Sequence, residues 1–219
     1  MIQRHTLRRQ VCEILRDRIV SGCIPASSPI SEPRLASALG VSRTPLREAL
    51  IQLEGEGLVH SDVGRGFHVG PLSAAEVHEI YPILSTLHGL ALRLAGIPPK
   101  EPLAALGEVN ARIKASRGHA LRLFDLDRLW HTDLVSACAN RRLLAMIDEF
   151  NGLARRYDFA YWKEAGDVVV SYEQHRAILE ALSCGRLATA ARLLEQHWMW
   201  GVDPVVRWLE TRGAAGGGS

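Results

Sequence analysis

The segment Leu35-Ala-Ser-Ala-Leu-Gly-Val-Ser-Arg-Thr-Pro-Leu-Arg-Glu-Ala-Leu50 restricts the fold more than any other stretch of the chain. Two short apolar patterns of helical period flank Gly40, which leaves room only for a tight turn between them. Ser31 stands at the N-cap of the first helix, over 32–39, with Pro33 in its first turn, where a missing N–H costs little. Ser42 stands at the N-cap of the second, over about 43–56, and Gly57 closes it. Leu46, Ala49, Leu50 and Leu53 form its inner face, and Leu35, Leu39 and Val41 pack the first helix against it. That packing leaves Ser42, Arg43, Thr44 and Arg47 outward at the N-terminal end of the second helix. Helix amides and short hydroxyls suit phosphate there, and the guanidinium fork suits guanine edges.

The flanking segments extend this pattern. Leu7, Val11, Ile14, Leu15 and Ile19 predict a helix over 7–21 that Gly22 stops, followed by a turn-rich bridge from Pro25 to Pro29. Two extended stretches, 58–61 and 66–69, flank the turn Asp62-Val63-Gly64-Arg65 and read as a hairpin. Helix, helix, turn, helix, hairpin is the order of a winged helix-turn-helix, here over 1–71. Ser73-Ala-Ala-Glu76 reads as a capping box that starts a second, helical region. Helices are expected near 74–95, 101–116, 119–138, 141–164, 168–183 and 187–209. Gly96-Ile-Pro-Pro, Gly118, Asn140, Gly166 and Gly185 separate them, and Pro82 and Pro204 are expected to kink the first and last. The fold class is therefore mainly α. A winged helix-turn-helix of three helices and a small β-hairpin precedes an all-α, six-helix bundle over 72–211. The glycine-rich 212–219 is expected to be a flexible tail.

Charge and composition narrow the class further. Residues 1–70 hold nine Arg, no Lys and seven acidic residues, whereas 71–219 hold seventeen of each sign. No apolar run approaches the ~18 residues of a membrane span, and the N-terminus lacks a signal-peptide core. Cys12, Cys23, Cys138 and Cys184 show no CxxC spacing and are expected as free thiols. These features predict a cytoplasmic protein with no membrane partner.

The stretch from about 11 to 70 resembles the GntR family of transcription regulators, in its FadR-like branch. The resemblance rests on Ile19-Val-Ser-Gly22, Ser31-Glu32, Leu35-Ala36, the run Gly40-Val-Ser-Arg-Thr-Pro-Leu-Arg-Glu-Ala-Leu50, Leu53-Glu54, Glu56-Gly-Leu-Val59 and Gly64-Arg-Gly-Phe67. It implies that Ser42, Arg43, Thr44 and Arg47 meet double-stranded DNA, with Gly64, Arg65 and Gly66 at a wing tip in the minor groove. A helix-turn-helix of this kind reads a palindromic operator as a homodimer. The sequence departs from the family at Pro25-Ala-Ser27, where Pro-Pro-Gly is usual. It departs again at Pro33, where Arg is frequent; Arg34 is a candidate replacement.

In the second region four polar residues interrupt apolar stripes. Asp127 and His131 share a stripe with Leu134, Val135 and Cys138; His175 lies with Ile178, Leu179 and Leu182; His197 lies with Ala190, Leu193 and Leu194. Burying one such group unpartnered costs about 1–3 kcal/mol on mutational scales. A hydrogen-bonded core histidine explains each one singly, and a shared metal site explains all four together; spacing leaves both open. Here the chain resembles the FCD effector domain of FadR-like regulators, through Asp127-Arg-Leu-Trp-His131, Ala139-Asn-Arg-Arg-Leu143 and Glu173-Gln-His-Arg-Ala-Ile-Leu179, with His197 at the usual distance. The resemblance implies that Asp127, His131, His175 and His197 hold a divalent metal. Three imidazoles and a carboxylate suit Zn2+ or Ni2+. It further implies a small-molecule effector, a carboxylate, bound at that metal, and a repressor of a catabolic operon that the effector releases.

His88, Arg155 and Tyr157 are effector-pocket candidates, with Arg156 and Trp162 beside them. The family pattern Tyr-x-x-Arg-x-x-Leu-Glu reads Tyr81, Leu84, Leu87 and His88 here, so its Arg and Glu are missing. His5, His60, His68, His78 and His119 receive no functional reading. Two other functions fit the sequence less closely. One is a constitutive dimeric DNA-binding protein with a purely structural helical domain. The other is a metalloenzyme, for which no general base stands beside the cluster.

Overall fold

The computed structural model describes residues 2–62, 64–116, 119–165 and 169–216. Val63 of the expected turn, the separators Gly118 and Gly166, and the tail end 217–219 lie outside them. The chain divides into two compact units, Met1–Leu72 and Ser73–Ser219.

The first unit contains α1 (Ile2–Val20), α2 (Glu32–Leu39), α3 (Arg43–Gly55), β1 (Val59–Asp62) and β2 (Gly66–Val69). Its core is Val11, Cys12, Leu15 and Ile19 of α1 against Leu46, Ala49, Leu50 and Leu53 of α3, closed by Leu58, Phe67 and Val69. Leu7 and Ile14, expected on the inner face of α1, are 39% and 42% exposed, because the buried stripe follows residues 11, 12, 15 and 19. Gly40 closes α2 in the left-handed conformation (φ 65°), and its N–H reaches the Ala36 carbonyl. The antiparallel pair β1–β2 runs from Val59 opposite Val69 to Asp62 opposite Gly66. Pro29 bridges to His68, and the Ile30 N–H donates to the Phe67 carbonyl, so the bridge segment lies on the hairpin's edge. Ser27 holds φ 61°, the conformation a glycine at this family position would adopt without strain.

The second unit is all helix among its described residues: α4 (Ala74–Ala95), α5 (Lys100–Ala115), α6 (Ala120–Val135), α7 (Arg141–Ala165), α8 (Val169–Ser183), α9 (Leu187–Trp200) and α10 (Val202–Gly216). α4 lies against α6, α7, α9 and α10, while α8 joins α9 to α5. The last helix expected from sequence is two helices. Gly201 interrupts it, and Pro204 occupies the first turn of α10, where proline is tolerated, rather than kinking a continuous helix. α10 continues through Gly216, into the segment expected as tail. Pro82 lies inside α4, which continues for 22 residues in all.

The capping box at Ser73-x-x-Glu76 does not form. Ser73 sits at the N-cap of α4 without a side-chain cap bond. The Tyr157 hydroxyl and the buried Arg156 (3.3 Å) engage the Glu76 carboxylate instead, and the Ser73 N–H donates to the Tyr157 oxygen (3.1 Å). A buried guanidinium needs a carboxylate more than an exposed helix end does.

Candidate DNA-reading face and candidate metal centre

In the first unit, Ser42, Arg43, Thr44 and Arg47 are exposed, whereas Leu46, Ala49, Leu50 and Leu53 are all 0% exposed. The buried residues anchor one side of α3 and present the four polar ones on the other. Ser42 holds the N-cap position without spending its hydroxyl on a cap bond, so both hydroxyl and helix end are open to an anion. The Arg47 guanidinium lies 6.0 Å from the centre of the Phe67 ring, outside the core. Gly64 and Gly66 have φ of 80° and 77°, which allows the sharp wing turn, and Arg65 is exposed between them.

In the second unit, α6, α8 and α9 bring the four predicted ligands together. One nitrogen each of His131, His175 and His197 lies within 4.8 Å of the others. His131 Nε2 is 3.1 Å from His197 Nε2 and 3.5 Å from Asp127 Oδ2; His175 Nε2 is 3.6 Å from Asp127 Oδ1. Second contacts orient two of the rings. His175 Nδ1 lies 3.2 Å from Asn110 Oδ1, whose amide nitrogen already donates to the Tyr172 carbonyl, so the oxygen is the acceptor. His197 Nδ1 lies 2.7 Å from Gln174 Oε1. Each of these rings therefore carries its proton on Nδ1 and turns a bare Nε2 lone pair inward. Trp130 stacks on His175 at 3.7 Å and 8°, which locks that ring's plane.

The electrostatics leave the imidazoles neutral. Burial, then the neighbouring His197, His175 and His88, hold His131 well below its usual pKa. Burial and His197 do the same to His175. Burial, then His88, brings His197 down to about 4. Burial and the charge of Asp158 push Asp127 up to about 7, against the Ser171 hydroxyl, which donates to Asp127 Oδ1 at 3.0 Å. Among the described residues, His175 Nε2 and His131 Nδ1 have no hydrogen-bond partner. Nitrogens each about 2.0–2.1 Å from one ion stand about 3–3.4 Å apart; the His131–His197 pair has that spacing at 3.1 Å, while the three ligand nitrogens, within 4.8 Å of one another, would draw together around an ion. The donor set thus fits a borderline divalent metal.

Two cavities adjoin the cluster. A narrow cleft of about 60 Å³ is lined by Tyr81, Tyr161, Trp162, Trp198 and Trp200 together with Asp127, His131 and His197. A smaller one, of about 30 Å³, is lined by Asn151, Arg155, Asp158 and Trp162 and also reaches Asp127 and His131. Arg155 and Trp162 line the smaller cavity, with the Arg155 guanidinium 5.2 Å from the centre of the Phe124 ring. His88 is fully buried, its ring 5.6 Å from that of His131 and 4.8 Å from Trp198. Burial holds it at about 4, with Asn151 opposing, yet among the described residues neither ring nitrogen has a partner in hydrogen-bonding geometry. Tyr157 is not brought to the cavities; it is spent on Glu76 and Ser73, as Arg156 is on Glu76. Leu84, at the family's Arg position, is 0% exposed in the core.

Sequence reasoning missed Asn110, Gln174, Ser171 and Asp158. Asp158 lines both cavities and accepts a 2.5 Å hydrogen bond from Tyr81; burial pushes it up to about 6. Asn110 carried a signal, since it interrupts the apolar stripe of Leu106, Val109 and Ile113. Gln174 and Asp158 lie among other polar residues and carried none.

Comparison with known proteins gives matches to both units. Residues 7–69 match the family of bacterial regulatory proteins, gntR family, and residues 79–199 match the FCD domain. A protein of Paenarthrobacter nicotinovorans named "Probable D-xylose utilization operon transcriptional repressor" is 30% identical, over 90% of this chain and 87% of its own length. The Nta operon transcriptional regulator of Aminobacter aminovorans is 33% identical over 70% of this chain and 73% of its own. Among solved structures, E. coli McbR/YncC superposes with a TM-score of 0.81 at 20% identity, covering 93% of this chain and 98% of the other, a likeness of fold.

Proposed function

Because the chain belongs to the gntR family of bacterial regulators and carries an FCD domain, we propose that it is a cytoplasmic, homodimeric repressor of a catabolic operon, released when a small carboxylate binds at a metal centre. As a family member it is a DNA-binding transcription regulator and not an enzyme. The observation that carries the finer reading is the convergence of Asp127, His131, His175 and His197, with second contacts that fix two rings as inward acceptors.

These four residues would hold Zn2+ or Ni2+, which supplies a Lewis-acid centre for an acid's oxygens. The chain's own groups do the rest. Trp130 and Asn110 orient His175, Gln174 orients His197, and Ser171 holds Asp127. The aromatic walls shed water around a bound ligand. At the other unit, Arg43, Thr44, Arg47 and Ser42 face a palindromic duplex, with the Gly64-Arg65-Gly66 tip beside it. The relative named for a D-xylose utilization operon supports a catabolic target. A ligand alters DNA affinity only by binding the competent and incompetent states unequally.

The test is operator retardation with metal-loaded and chelated protein across a panel of small organic acids, beside metal analysis. Release of DNA by one acid from loaded protein alone is the expected result. Protein that binds no divalent metal, or whose operator affinity no acid alters, would overturn the metal-centred reading. It would leave a constitutive DNA-binding protein.

A further inference from the structure

On α3, at about 100° per residue, Leu46, Ala49, Leu50 and Leu53 fall within an arc of roughly 240–340° measured from Arg43. Arg43, Thr44, Arg47 and Glu48 occupy roughly 0–140°. Ile51 falls at about 80°, in the middle of the polar arc. It is 55% exposed and lines a shallow groove with Glu32, Pro33, Arg43, Thr44, Arg47 and Glu48. The next residue, Gln52, is turned aside to donate to Glu56 at 3.0 Å. Single exposed apolar residues are ordinary. This one stands at the centre of the face that carries both arginines.

Ile51 is eight residues beyond Arg43, about 12 Å along the helix axis. The major groove is itself about 12 Å wide, so residues 43–51 are those a groove can enclose. Isoleucine offers no donor or acceptor. Seated against a phosphate or a base heteroatom, it would strip water and return nothing. The C5-methyl of thymine is the apolar group that a base pair presents in the major groove. We propose that Ile51 reads a thymine methyl in each half-site, a base-specific contact one turn beyond the polar contacts of Arg43 and Arg47 on the same face of α3. This rests on α3 being the helix that enters the groove.

The test uses the full-length protein. A preferred site is selected from randomised duplexes, and each thymine is replaced in turn by deoxyuridine, which lacks only the methyl. Wild type and Ile51→Ala are titrated against the same panel. At one thymine position, deoxyuridine should weaken wild type about fourfold, from the ~0.8 kcal/mol of a buried methylene-sized group. The same replacement should leave Ile51→Ala unchanged, and Ile51→Gln should select a different base there. No sensitive thymine, or a sensitivity that persists in Ile51→Ala, would overturn the proposal while the helix assignment stood. Failure of wild type to select any duplex would remove the helix assignment as well.

Discussion

Asn110→Leu tests whether the cluster is a metal site or a set of packed histidines. In the native protein Asn110 Oδ1 accepts the Nδ1 proton of His175 at 3.2 Å, and the His175 side chain is 0% exposed. Leucine, with the same branched shape but greater bulk, removes the acceptor. His175 then either buries an unpartnered N–H, at a cost of about 1–3 kcal/mol, or moves its proton to Nε2. The second outcome aims the proton at Asp127 Oδ1, 3.6 Å away, and blocks the lone pair a metal would use. Loss of such an outer partner typically weakens metal affinity about 10- to 100-fold, or about 1.4–2.7 kcal/mol. Asn110→Asp keeps an acceptor, so its affinity should stay within a few-fold of wild type. The assay is competition with a chromogenic chelator for Zn2+ on the full-length protein, beside thermal melting with and without the metal. If the Leu variant melts lower yet binds Zn2+ within twofold of wild type, Asn110 serves packing alone and the tautomer argument fails.

Three further outcomes are expected. Arg43→Ala and Arg47→Ala should each weaken operator binding about 5- to 150-fold, the worth of a bidentate base contact, and together abolish gel retardation; unchanged retardation would remove both residues from the interface. Circular dichroism should not change, because both side chains are exposed. Ser27→Gly should stabilise the first unit by about 0.5–1 kcal/mol, by relieving the left-handed strain at φ 61° net of glycine's greater chain entropy. An unaltered or lower urea midpoint would contradict it. Metal-free protein should lose stability as the pH falls from 6.5 to about 4. His88, His131, His175 and His197 are held low by burial, so the unfolded chain takes up protons across that window before the folded one does. Asp127 and Asp158, held up at about 7 and 6, oppose this by protonating first in the folded state, but they are two against four. A melting temperature that is flat or rising on acidification would refute the imbalance.

Much of the fold was legible because local signals and tertiary packing agree. Gly40 closes α2 by the backbone geometry its residue type allows, and the apolar stripe of α3 is the stripe that is buried. Disagreement came where a residue had two possible partners. Ser73-x-x-Glu76 has the residues of a capping box, yet the buried Arg156, 80 positions away, takes the carboxylate. Periodicity continued across Gly201 because the residues on both sides are helical. What divides α9 from α10 is a one-residue lapse at Gly201, whose φ of −67° and ψ of −20° stay helical, so the hydrophobic pattern is left intact.

The candidate metal ligands were legible for the opposite reason: each violates its own helix. Asp127, His131, His175 and His197 occupy positions where burial without a partner is costly, so they stand out against an apolar stripe. Asn110 is an outlier of the same kind on α5. Gln174 is not, because a residue beside His175 on a half-exposed helix edge has no reason to be apolar. Ligands must point inward, and their cost betrays them. Gln174 reaches the far nitrogen of its ring from a half-exposed edge where polarity is ordinary, whereas Asn110 does so from the buried side of α5. A single sequence therefore reveals the donors of such a centre before it reveals what holds their lone pairs in place. The Gln174 contact is the part of the site that only coordinates supply; Asn110 shows its polarity in the sequence, though not its partner.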